Sequence, residues 1–111
     1  MRKVPKRYQD FSKKYREIAK AYEEMGSACH SAGPLDDKTR ALVKLAISIG
    51  AHLEGSVHSH VRKALDSGAR PEELYHVAVL AIPTIGFPPA MAAMSWVEDI
   101  VKPEQSVHKQ K

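Results

Sequence analysis

A chain of 111 residues has the length of one domain, and 43% hydrophobic with 27% charged residues excludes a disordered polypeptide. The single cysteine, Cys29, excludes an intrachain disulfide framework. With no secretory apolar segment and no apolar run of about 18 residues, a cytoplasmic location and no membrane are expected.

The net charge of +4 is unevenly placed. Residues 1–20 hold eight Lys/Arg against Asp10 and Glu17, and the last eleven residues add a further +2. The stretch 21–100 is mildly acidic, with six basic and ten acidic residues. The basic ends read as a solvated helix face and a polar tail. Without an aromatic RNA-binding signature or a zinc-finger spacing, a nucleic-acid partner is not expected.

Along the chain, Tyr8, Phe11, Tyr15, Ile18, Tyr22, Met25 and Cys29 recur at alternating steps of three and four. This spacing predicts one long amphipathic helix within residues 1–33, with Cys29 packed on its stripe as a small hydrophobe. Gly33-Pro34 ends it, and Asp36 or Asp37 caps the next helix. In that helix only Arg40, Lys44 and Ser48 form a polar strip, so it is expected to be mostly buried. A third helix runs from about Glu54 to Ser67, with Val57, Val61, Ala64 and Leu65 inward and Gly68 as its left-handed stop.

Pro71 opens a fourth helix at its first position, and Glu72 and Glu73 suit its positive end. Its body, LYHVAVLAIPTIG, is nearly continuous hydrophobe, with Pro83 expected to kink or end it. Pro88-Pro89 opens a last helix through Val101, followed by a polar tail over 103–111 that is expected to be disordered. The fold class is therefore all-α, with five to six helices in a single domain, 1–111, and a core over 35–101. Two largely apolar helices in so short a chain point to burial between subunits, so a homo-oligomer is expected.

The chemistry-bearing residues cluster in HLEGSVHSHVRKALDSG. His58 and His60, two apart, diverge by about 200° on a regular helix, and no two histidines stand four apart. No metal site and no cofactor are expected from this pattern. Glu54 with His58, and Ser56 with His60, do share faces. The first pair reads as a surface ion pair. The second can be a hydroxyl nucleophile beside its base, or a helical serine bonded to its own backbone near a satisfied histidine.

The pieces LDDKTRALVKLAISIG, HVRKALDSGARPEEL and IGFPPAMAA, in this order, resemble the carboxymuconolactone decarboxylase and alkylhydroperoxidase-D-like superfamily. The resemblance implies an alkylhydroperoxidase-D-like helical fold assembled into trimers or hexamers. The redox branch of that superfamily carries C-x-x-C-x-x-x-H and a preceding glutamate. Laid on this chain, the histidine is His60, the cysteines fall on Leu53 and Ser56, and the glutamate falls on Ala41. Peroxidase activity is disfavoured, because disulfide chemistry needs two sulfurs.

The decarboxylase branch has H-x-R at this helix, matched by His60 and Arg62. It implies His60 as the proton-transfer group on a small carboxylated molecule, with Ser56 and His58 as accessory catalytic contacts. Arg62 and Glu54 are the candidate substrate-binding residues, although Arg62 diverges from His60 by the same 200° or so. A non-catalytic oligomeric binding module of the same fold is the competing reading. A redox role for Cys29 across a subunit boundary is the third.

Overall fold

The computed structural model describes residues 4–109, and nothing but helix occurs among them as regular structure. Six helices follow in order: α1 (Lys6–Lys14), α2 (Arg16–Ser31), α3 (Asp37–Gly50), α4 (Glu54–Asp66), α5 (Pro71–Ile85) and α6 (Phe87–Lys109). No described helix is long and apolar enough to cross a membrane. The chain divides into two compact units, residues 1–35 and 36–111.

In the first unit the predicted long helix is broken at Tyr15, whose φ of −120° and ψ of 63° leave the helical region. A straight helix would hold residues 8 and 23 roughly 22 Å apart. Instead the Tyr8 hydroxyl donates to the Glu23 carboxylate at 3.1 Å, so α1 folds back on α2. The Tyr15 ring packs 5.3 Å from Phe11, and the Lys14 ammonium lies 5.5 Å from its centroid. Neither glycine nor proline stands at the break; tertiary contacts between the two helices hold a bend that local propensity does not announce.

The bend also redirects the apolar stripe. Ala19 is the buried residue of α2, while Ile18, Tyr22, Met25 and Cys29 are exposed within their unit. The expectation that Cys29 is packed on the stripe does not hold there, because α1 covers the Ala19 side of α2 instead.

In the second unit, α3 neighbours α4 and α5, and α6 neighbours the same two, closing a ring in the order α3–α4–α6–α5. Leu45 and Ile49 of α3, Val57 and Val61 of α4, Leu74 of α5, and Val97 and Val101 of α6 are its fully buried large side chains. Ala64, Ala78, Ala90 and Ala93 fill the spaces between them, and such small residues let helices approach closely. Val57, Val61 and Ala64 face inward as expected, and Leu65 is half-buried.

The helix ends follow their chemistry. The Asp36 carboxylate accepts the Thr39 N–H at 2.8 Å, a side-chain N-cap that also holds its pKa below the ordinary value. Glu73 accepts the Arg70 N–H at 2.9 Å and pairs with Lys38 at 2.9 Å, tying the start of α5 to α3. At the end of α4, the Ala69 N–H reaches the Ala64 carbonyl and the Gly68 N–H reaches that of Leu65. This Schellman closure needs a positive φ, and Gly68 supplies it at 95°. Pro83 does not end α5, which continues to Ile85 and stops at Gly86 with φ of 103°. One lost N–H in the last turn is cheap there. The α6 backbone stays helical past Val101, through Pro103 to Lys109, where a polar tail was expected; residues 110–111 lie outside the described ones.

One expected face is reversed. Ser48, on the predicted wet strip of α3, is 4% exposed, whereas Ile47 beside it is 64% exposed. Ser48 can be buried because its hydroxyl is fully satisfied, as the site geometry makes clear.

Candidate functional site

The turn from α3 into α4 sets the site. Its last bonds, Leu53 N–H to Ser48 carbonyl and His52 N–H to Ile49 carbonyl, repeat the Schellman pattern seen after α4. Here the left-handed position is held by His52, with φ of 60°, instead of a glycine. The His52 ring rests against Trp96 of α6, with centroids 4.9 Å apart, a contact a glycine would lack.

From that turn α4 presents two chemically different faces. Toward α3, Ser56 Oγ lies 2.7 Å from Ser48 Oγ. Ser48 donates its own proton to the Lys44 carbonyl at 3.0 Å, so Ser56 must be the donor between the two hydroxyls. The Ser56 proton is thereby aimed at α3, and nucleophilic use of this hydroxyl would first break that bond. His60, half-buried, stands one turn further along the same face of α4.

Toward α6, His58 Nε2 lies 3.0 Å from Asp99 Oδ2. Glu54, one turn before His58, joins them, and one ligating atom from each of the three lies within 4.8 Å of the others. Arg62, half-buried, follows His58 by one turn on this second face and so lies away from His60. The sequence-predicted set is therefore split by α4 itself: Ser56 and His60 on one side, Glu54, His58 and Arg62 on the other.

The positions equivalent to the redox motif are equally plain. Ala41 is buried among the core residues, Leu53 is exposed, and Ser56 is engaged by Ser48. Cys29 belongs to the first unit and is the only cysteine in the sequence. No thiol stands near His60 in the sequence or on its helix.

Two participants escaped sequence reasoning. Asp99 is 41 residues from His58, beyond any local spacing rule. Ser48 belongs by periodicity to the polar strip of α3, although its step of eight from Ser56 across a three-residue turn is the signal that pairs them.

A family model for the carboxymuconolactone decarboxylase family matches residues 16–99, well over half of the chain. No curated protein and no solved structure matched it. The matched segment contains the whole of α3, α4 and α5 together with Asp99. The helical architecture, the order of the sequence blocks and this match agree, and the chain belongs to the carboxymuconolactone decarboxylase family.

Proposed function

We propose that this protein performs acid/base catalysis on a small carboxylated molecule, with His60 giving and taking the proton. The observation that carries the reading is the position of His60, half-buried on the α3-facing side of α4, one turn from the Ser48–Ser56 hydroxyl pair. An imidazole titrates near neutrality and so suits proton transfer in either direction. Ser56 supports His60 through the order it imposes on that face, while His58 stands on the other side of α4 and takes no part in this chemistry. Arg62, pointing away from His60, binds a substrate carboxylate only where a second copy completes the pocket.

That requirement fits the exposed apolar residues of the second unit. Val43, Ile47, Val79, Leu80 and Phe87 each remain more than a third exposed in the single chain. A homo-oligomer, a trimer or a hexamer, would cover them. Its setting would be the cytoplasm.

The test is turnover of a panel of carboxylated muconolactones by the wild type and by His60→Ala. Loss of more than about 100-fold in the variant is the expected result. Equal turnover in both would remove His60 from the chemistry. Absence of turnover in both would favour the second reading, a non-catalytic oligomeric binding module, which the residues at Ala41, Leu53 and Ser56 recommend.

A further inference from the structure

We propose that Glu54, His58 and Asp99 form a binding site for one divalent first-row transition cation, of the Zn2+, Co2+ or Mn2+ class. This site lies on the opposite side of α4 from His60 and does not depend on the function proposed for it.

Three observations converge on it. First, the donor set is chemically mixed: one imidazole nitrogen and two carboxylates, in which the nitrogen donor favours first-row transition cations over Mg2+ and Ca2+. Second, the spacing fits. Ligand atoms about 2.1 Å from a common ion stand roughly 3.0–3.4 Å apart in octahedral or tetrahedral geometry. His58 Nε2 and Asp99 Oδ2 are already 3.0 Å apart. Glu54 is exposed, so its carboxylate can close from within 4.8 Å by side-chain rotation alone. Third, the charge is unbalanced. Two carboxylates facing one imidazole carry net negative charge whether or not the ring is protonated. Among the described residues neither Glu54 nor Asp99 is paired with a lysine or arginine.

The donors also come from two elements. Glu54 and His58 are one turn apart on α4, and Asp99 is supplied by α6, which packs along it. Val57 and Val61 of α4 share one buried core with Val97 and Val101 of α6, and that core holds the helices in place, so the donors are brought together before any ion arrives. Three protein ligands leave coordination positions open for water or for a small anionic ligand.

The sole tryptophan is a built-in reporter. Trp96 precedes Asp99 by one turn on α6 and rests against His52 in the turn before α4. Protein stripped of metal by chelation should be titrated with Zn2+ by calorimetry and with Co2+ by Trp96 fluorescence and visible absorption. The expected result is saturable binding of one ion per chain, quenching of Trp96 by Co2+, and d–d bands displaced from those of aqueous Co2+. Glu54→Gln, His58→Gln and Asp99→Asn should each raise the Kd by more than about tenfold, while His76→Gln, on α5, should leave it unchanged. Glu54 and Asp99 are exposed, so their amide variants retain the fold, which circular dichroism checks. No saturable binding of Zn2+, Co2+ or Mn2+ below millimolar concentration would overturn the proposal. So would affinities unaltered in Glu54→Gln and Asp99→Asn.

Discussion

Ser56 of α4 donates its hydroxyl proton to Ser48 of α3 across 2.7 Å, because the proton of Ser48 is already given to the Lys44 carbonyl. This chain of two hydroxyls and a carbonyl satisfies a polar group that is 4% exposed and fixes the level at which α3 and α4 meet. It also explains how a serine comes to replace apolar surface on the inner side of α3.

Removing either hydroxyl should therefore cost more than a surface serine would. Ser48→Ala and Ser56→Ala should each destabilise by about 1–2 kcal/mol. The double variant should lose less than the sum of the two, since both substitutions delete one shared bond. Urea unfolding of the four proteins measures the coupling. Strict additivity would mean that the pair contributes nothing jointly.

The left-handed residue after α3 offers a second test. His52 holds φ at 60° without being glycine and gains the Trp96 contact in return. His52→Ala keeps the strained backbone and loses the ring, whereas His52→Gly loses the ring but relaxes the backbone. The glycine variant should be the more stable of the two by about 1 kcal/mol. Both should alter Trp96 emission. At Gly68, where φ is 95°, a Cβ would be strained, and Gly68→Ala should lose about 1 kcal/mol. Thermal melts rank all three.

The acid dependence of stability should trace to the helix starts. Asp36 is lowered from its ordinary 3.8 chiefly by its hydrogen bonds with Thr39. Glu73 is lowered from 4.5 by the Arg70 N–H and then by Lys38. A carboxylate with a depressed folded-state pKa adds stability that is fully present above its unfolded value. That stability is lost as pH falls through the folded value. Stability should accordingly be flat from neutrality to about pH 5 and decline below the ordinary values of these two groups. Asp36→Asn, which keeps a capping oxygen but does not titrate, should flatten the decline. A pH profile identical to that of wild type would show that Asp36 does not contribute.

For the proposed self-association, size-exclusion chromatography with light scattering is the direct measurement. Ile47, 64% exposed on α3, and Leu80, 56% exposed on α5, are the most exposed large hydrophobic residues of their helices. Ile47→Lys should shift a trimer or hexamer toward smaller species without lowering helix content. A wild-type protein that is monomeric at micromolar concentration would contradict the proposal.

Local chemistry made much of this protein readable before its structure. Asp36, Pro71, Gly68 and Gly86 mark helix ends because caps, a fixed proline φ and left-handed glycines act on their immediate neighbours. The inward row Val57, Val61 and Ala64 follows from a period set by the helix alone. So does the separation of His58 from His60. The block HVRKALDSGARPEEL carried the family for the same reason, since it encodes one helix, its Schellman stop and the start of the next.

What needed the tertiary structure is everything decided between elements. The break at Tyr15 accompanies a Tyr8–Glu23 contact between α1 and α2, and no helix breaker in the sequence marks it. The burial of Ser48 and the exposure of Ile47 invert the usual polarity rule because a partner hydroxyl on α4 satisfies the serine. Asp99 joins Glu54 and His58 only because α6 packs along α4, and no spacing rule spans 41 residues. Periodicity states which side of a helix a residue occupies; the neighbouring helix alone determines what that side meets.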